Sequence, residues 1–365
     1  MSSFHKTALA LLTRDYNMTD RIEVGILGAT GTVGQELVLA LTEHPWFVIR
    51  WLAASERSAG RRYADATPWR LQAPAPAEIG NMMVQSCTPV GAPRLVFSGL
   101  DAAVAGEVEG AFATAGHTIV SNARSYRMDD DVPLLVPEIN PDHLALLKVQ
   151  TEKRKWAGRI ITNPNCSTIM LAMALAPLLP FGVRSVMVST LQAISGAGYP
   201  GIPSLDIVGN VIPYIAGEEE KIESETRKIL GCLKDERIEP HPVTVSAQTT
   251  RVPVLNGHTE LVSVALDTSP GLDEIRHAFK VFTGRPQAEE LPNAPRQPIV
   301  YLDLPDRPQP RLDVNCEDGM GVTVGRLRAC PVLDFKFVVH GHNTIRGAAG
   351  AALLNAELLC GDGLV

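Results

Sequence analysis

The pattern of hydrophobic and polar positions changes character near residue 166. Before it, compact apolar runs at 22–27, 47–54, 94–97, 117–121 and 159–162 read as strands. They alternate with helical stretches at 35–43 and 102–115, and a further helix falls within 143–156 ahead of a Lys-rich connection. Strand followed by helix, repeated, predicts a doubly wound parallel sheet. After residue 166 the apolar runs lengthen, at 183–193, 244–254, 260–267, 321–329 and 334–340, and several alternate in polarity. They predict a second, α+β domain on a large mixed or mostly antiparallel sheet. Between the two patterns, 168–179 is apolar, with no Gly and no Pro before Pro177, and reads as a helix. A charged helix at 218–230 is closed by Gly231. The proline-rich stretch 285–313 reads as a connection. The segment 343–359, with small residues on one side, reads as a buried helix packing against the first domain.

Composition narrows the class. A chain of 365 residues with 45% hydrophobic and 20% charged positions is globular and long enough for two cores. A net charge of −7 argues against a nucleic-acid surface, and no apolar run is long enough to cross a bilayer. The six cysteines are scattered, with no C-x-x-C pair and no cluster at metal-ligand spacing. Reduced thiols in the cytoplasm are expected, not a disulfide framework or a metal site. Residues 1–20 lack a proper signal-peptide core and read as an extension ahead of the fold.

Chemistry enters at four places. Directly after the run 22–27 stands Gly28-Ala-Thr-Gly31-Thr-Val-Gly34, and a helical stretch follows. Strand, glycine turn and helix open a Rossmann-type dinucleotide site, in which glycines let the backbone approach a pyrophosphate. Gly28, Thr30, Gly31, Thr32, Val33 and Gly34 are the candidate contacts. The run 47–54 then ends in Ser55-Glu-Arg57-Ser58, hydroxyls and a guanidinium that suit a 2′-phosphate and so NADP, although Glu56 would suit a ribose hydroxyl. After 117–121 come Arg124 and Arg127, candidate anion anchors beyond a strand end; either has the acids at 129–131 as alternative partners, and for Arg124 such a pair is the expectation. Finally, Asn163-Pro-Asn-Cys166-Ser-Thr168 places one cysteine after a turn and at a helix start, where backbone N–H groups favour a thiolate. Read blandly, it is one more small core residue.

Together with Gln192-Ala-Ile-Ser-Gly-Ala-Gly198, Arg251-Val-Pro-Val-Leu-Asn-Gly-His258 and His340-Gly-His-Asn-Thr-Ile-Arg-Gly347, these motifs make the chain resemble aspartate-semialdehyde dehydrogenase of the archaeal and fungal branch. The resemblance runs in order from Arg21 to the C-terminal helix. It implies reversible, NADP(H)-dependent conversion of L-aspartyl 4-phosphate to L-aspartate 4-semialdehyde, in the biosynthesis of lysine, threonine, methionine and isoleucine. It implies Cys166 as nucleophile, His258 as general acid/base and Gln192 orienting the acyl group. Arg251 would hold the α-carboxylate, Glu218 (or Glu219 or Glu220) the α-ammonium, Lys221 and Arg127 the phosphate, and Asn165 the oxyanion. Cofactor contacts would extend to Ser98, Ser195, Gly196 and Asn343. The implied organisation is an NADP-binding domain at 21–165, a catalytic and dimerisation domain at 166–340, and a C-terminal helix at 341–365 returning to the first. The implied partners are the small-molecule substrate, inorganic phosphate and further copies of the chain, as a homodimer or homotetramer. The rival activity on such a scaffold is malonyl-CoA reduction, which needs no ammonium site. A silent NADP-binding regulator would keep Cys166 and His258 without use.

Overall fold

The computed structural model describes residues 21–365, so the 1–20 extension lies outside the described residues. Strands β1 (Ile22–Leu27), β2 (Phe47–Ala54), β3 (Val84–Ser86), β4 (Leu95–Ser98), β5 (Thr118–Ser121) and β6 (Arg159–Thr162) form one parallel sheet in the order β3-β2-β1-β4-β5-β6. This is the doubly wound arrangement expected from the alternation, and its order reverses beside β1. Helices α1 (Thr32–Thr42), α2 (Ala102–Thr114) and α3 (Leu146–Arg154) belong to this half. The run at 143–156 splits, because Pro141–Ala145 winds as a tight 3-10 turn before α3 begins.

The second half turns on α4 (Cys166–Leu175), every residue of which except Cys166 is buried. A helix apolar on all sides cannot face water, so it threads the interior. Its side chains join Val188, Val262, Phe337 and Val339 in one core. Those residues belong to a mixed sheet made of β7 (Val183–Gln192), β10 (Thr244–Arg251), β11 (His258–Leu266), β12 (Ile299–Leu302), β13 (Val322–Ala329) and β14 (Phe335–Gly341), in the order β10-β7-β11-β14-β13-β12. A small hairpin of β8 (Cys232–Lys234) and β9 (Arg237–Glu239) lies outside it. Helices α5 (Glu218–Ile229) and α6 (Leu272–Val281) complete this half.

The proline-rich stretch is not only a connection, for β12 lies within it and pairs in parallel with β13 alone, at the sheet edge. Its residues, Ile-Val-Tyr-Leu, are apolar, but the prolines on either side mask so short a strand, and β3 is hidden because it has only three residues. The C-terminal segment opens with a wide turn at Ile345–Ala349 and continues as α7 (Gly350–Gly361). Leu353, Leu354 and Ala356 of α7 pack into the core of the first sheet with Val24, Ile26 and Phe97, as its small-residue face predicts. Among the described residues, no helix is long and apolar enough to cross a membrane.

Gly34 shows how tightly the first turn is built. A Cβ there would strike the Gly28 carbonyl oxygen and stand 2.7 Å from Ala29 Cα, both backbone atoms that cannot swing aside. Gly34→Ala is expected to cost about 2 kcal/mol or more of stability by overpacking, read as a lowered thermal midpoint; an unchanged midpoint would mean that α1 shifts freely.

Candidate active site

The nucleophile's position follows from how α4 begins. Asn165 caps it, its Oδ1 accepting from Ser167 N at 2.9 Å and Thr168 N at 3.1 Å. Cys166 therefore stands at the first helical position, and its edge alone on α4 reaches the cleft. Its back rests on the C-terminal turn, since a Cβ at Gly347 would come 2.6 Å from Cys166 Cβ. Sequence reading passed over Gly347, whose glycine identity was the only local signal.

Across the cleft, His258 opens β11 with no exposed surface, and its Nε2 lies 3.2 Å from Cys166 Sγ. Its other ring nitrogen, Nδ1, accepts the backbone N–H of Ala193 at 3.0 Å. The neutral ring must then carry its proton on Nε2, pointed at the sulfur. Burial, with Arg251 adding, pushes His258 down to about 3. Burial and then Glu218 push the Cys166 thiol up to about 12, against the pull of Arg251, Arg127 and Lys221. Depth of burial thus works against the thiolate that the helix terminus favours, and it favours the pair as a thiol facing a neutral N–H donor. This gives a pH prediction. The native ring stays neutral where an unfolded one would take a proton, so its share of stability is present above 6.5 and lost as pH falls toward 3. By NMR the His258 ring signals should hold their positions from about pH 8 to about pH 5; an inflection near neutrality would contradict the buried neutral ring.

Arg251 ends β10, with Nη1 donating to Ala193 O at 2.7 Å and Nε buried without a partner. Gln192, at the end of β7 and opposite Arg251 in register, is buried, and its Nε2 donates to Thr190 Oγ1 at 3.3 Å. The three glutamates differ in their surroundings. Glu218 is buried and accepts from Asn165 Nδ2 at 2.8 Å and Lys221 Nζ at 2.7 Å. Glu219 instead accepts from Thr249 N, and Glu220 faces solvent. Asn165 thus serves as cap and as Glu218's support; with Oδ1 on the helix and Nδ2 on Glu218, it is not aimed as an oxyanion donor. Lys221 pairs with Glu218, three residues back on the same helix. Arg127 reaches the site, but Nη1 is on Glu225 at 3.0 Å and Nη2 on Asn122 O at 2.7 Å, leaving Nε buried and unpartnered. Arg124 does not take the neighbouring acids: Asp129 and Asp131 pair with Arg154.

The cofactor cleft lies beyond the carboxyl ends of the first sheet. Gly28 adopts a φ of +72° and passes close under Gly99, whereas a Cβ at Gly31 would meet only Gly28 O at 3.4 Å. Gly31 thus presents open backbone at the start of α1, whose first turn no side chain caps, between Thr30 and the partly exposed Thr32 and Val33. That fits a pyrophosphate. Past β2, Ser55 and Arg57 are exposed and Ser58 is buried; Arg62 is turned to Asp65, while Arg57 has no ion pair among the described residues. Ser98 disagrees with its expected role, since its hydroxyl is buried and donates to Glu109 at 2.6 Å. At the other end of the cleft, a Cβ at Gly196 would sit 3.2 Å from His258 Nε2 and 3.0 Å from Arg251 Nη1, so the glycine keeps space open over the catalytic pair. Asn343 holds that loop: Nδ2 donates to Ser195 Oγ at 2.8 Å, and Oδ1 accepts from Gly257 N at 2.7 Å. Its amide is engaged in bracing, and so is the Ser195 hydroxyl.

Two family models match the chain: "Semialdehyde dehydrogenase, NAD binding domain" over residues 23–147, and "Semialdehyde dehydrogenase, dimerisation domain" over 175–346. The aspartate-semialdehyde dehydrogenase of Archaeoglobus fulgidus is 47% identical over 94% of this chain and 100% of its own length. The chain belongs to the aspartate-semialdehyde dehydrogenase family. The Schizosaccharomyces pombe member is 49% identical over 94% of the chain and 99% of its own. A crystal structure of the Candida albicans enzyme with NADP superposes with a TM-score of 0.87 at 43% identity, covering 94% of this chain and 100% of that one. Members of this family are NADP-dependent oxidoreductases of amino-acid biosynthesis, and the expected resemblance to the archaeal and fungal branch is met. Within an aspartate-semialdehyde dehydrogenase, the dimerisation model covers the mixed sheet and the NAD-binding model most of the parallel one.

Proposed function

We propose that the protein reduces L-aspartyl 4-phosphate to L-aspartate 4-semialdehyde, reversibly, through a thioester on Cys166. The observation that carries this reading is the pairing of Cys166 Sγ with His258 Nε2 at 3.2 Å, in a cleft where the opposite charges of Arg251 and Glu218 both act on the sulfur. A substrate bearing an α-carboxylate and an α-ammonium matches those charges. Arg251, whose Nη2 makes no hydrogen bond among the described residues, receives the carboxylate, and Glu218, held by Asn165 and Lys221, faces the ammonium. Arg127 and Lys221 receive the phosphate, and Gln192 orients the acyl group.

Cys166 attacks the acyl carbon; the thiol proton leaves with the departing phosphate oxygen, and the C–O bond to phosphate breaks. His258 donates Nε2–H to the oxyanion that forms beside the sulfur. NADPH, when bound, supplies the hydride that reduces the thioester. The resulting tetrahedral oxygen on the Cys166 adduct again faces Nε2–H, and collapse releases the aldehyde and a thiolate that takes one proton from water. Gly28, Gly31 and the start of α1 would hold the pyrophosphate, Ser55, Arg57 and Ser58 the 2′-phosphate, and the Gly196 loop the nicotinamide.

We also propose the division 21–165, 166–340 and 341–365 for the cofactor, catalytic and returning segments. A homodimer, or a dimer of dimers, is supported by Met187, Leu191 and Leu261, exposed together on one face of the mixed sheet. Six free thiols support a cytoplasmic enzyme. The test is NADP reduction with L-aspartate 4-semialdehyde, with and without phosphate, beside NADP-linked turnover of malonyl-CoA. Turnover of the semialdehyde that depends on phosphate is expected. Turnover of malonyl-CoA alone would overturn the substrate assignment.

A further inference from the structure

One side chain outside the assigned machinery joins two of its parts. Glu225 is almost wholly buried. Its Oε2 accepts the backbone N–H of Asn165 at 2.6 Å, the residue immediately before the nucleophile. Its Oε1 accepts from Arg127 Nη1 at 3.0 Å. A turn further along the same face of α5, Lys228 Nζ donates to the carbonyls of Arg127 and Asp129 at 2.7 Å and of Val132 at 2.9 Å. Positions 218, 221, 225 and 228 recur at helical spacing, so one face of α5 carries every contact. The loop it grips follows β5 of the first sheet, whereas α5 itself stands among the elements of the second.

We infer that Glu225 is a positioning residue: its single carboxylate ties the anion-binding guanidinium of Arg127 to the main chain that carries Cys166. The inference rests on the reading of Arg127 as a phosphate anchor. With Nη1 and Nη2 each held by one fixed partner, the guanidinium plane is fixed, and the second N–H of each is left for an incoming oxygen. Both oxygens of Glu225 accept charge-assisted or short bonds, and a buried carboxylate held this way is a rigid support. An amide has one oxygen, so Glu225→Gln must turn an NH2 group toward either Arg127 or the Asn165 N–H and lose that bond.

The experiment is a cycle of Arg127→Ala, Glu225→Gln and the double variant, assayed for semialdehyde oxidation with varied phosphate. NADP binding and thermal midpoint are measured alongside. Arg127→Ala is expected to raise the phosphate KM by about tenfold or more, and Glu225→Gln alone by a similar factor, with the NADP dissociation constant unchanged. In the double variant the second change should add less than about twofold, because Glu225 acts through Arg127. Glu225→Asp, one methylene shorter but still charged, should recover part of the phosphate affinity and serves if the glutamine variant does not fold. If Arg127→Ala raises the phosphate KM but Glu225→Gln does not, or if the two effects multiply, the tether is refuted. If Arg127→Ala leaves the phosphate KM unchanged, the anion role of Arg127 fails, and the tether loses its purpose with it.

Discussion

Replacing Cys166 by alanine is expected to lower kcat by roughly ten-thousandfold or more, while NADP binding and the thermal midpoint stay near those of the parent. In the proposed mechanism the sulfur forms the covalent bond to the acyl group and is also the group expelled when the aldehyde leaves. No other side chain takes both parts, and the five remaining cysteines lie elsewhere in the fold. Cys166→Ser sharpens the argument. An alkoxide is a much poorer leaving group than a thiolate, so the serine variant should be nearly as inactive although it is almost the same size. A Cys166→Ala variant that kept even a hundredth of the parent rate would move the chemistry away from this residue. Steady-state NADPH formation from the semialdehyde and phosphate measures it directly.

The second large effect concerns His258, and it separates two mechanisms. With Nδ1 accepting from Ala193 N and Nε2–H facing the sulfur, the proposed mechanism makes His258 a neutral donor to developing negative charge. His258→Ala removes that donor and should cost about a hundredfold to a thousandfold in kcat. Glutamine can bring an amide N–H close to where Nε2 stands, so His258→Gln should recover about tenfold over alanine. A residue that had to carry protons would gain nothing from glutamine, which does not titrate. Equal loss in both variants, with an acid limb near neutrality in the parent, would restore proton transfer as its task.

How much of this was legible beforehand depends on whether the cause was local. Most strands of both sheets could be read because each carries its own apolar pattern, the short edge strands β3 and β12 excepted, and α4 because its run has no polar face. The glycine turn was legible for the same reason: Gly28 and Gly34 answer to contacts a few residues away. Asn165 was placed beside the nucleophile correctly, but its direction was not, because capping and the bond to Glu218 use its amide. Ser98 shows the same limit; a hydroxyl at a strand end can turn to a cofactor or, as here, to a buried Glu109. Glu225 and Gly347 were missed because their partners are remote in sequence. For Glu225 a signal existed, since it lies one face-repeat beyond Glu218 on the same helix. The protonation of the catalytic pair could not be read either. A helix terminus is visible in a motif, whereas the depth at which Cys166 and His258 are enclosed is a property of the whole fold.

The proposed mechanism makes oxidation and phosphate transfer separate events joined by a thioester on Cys166. It is tested most directly by rapid mixing of enzyme, NADP and L-aspartate 4-semialdehyde without phosphate, followed by mass analysis of the quenched protein. A burst of about one NADPH per active site is expected, with the aspartyl adduct located on Cys166 and discharged when phosphate is added. NADPH appearing only after phosphate is present, with Cys166 unmodified throughout, would contradict the account.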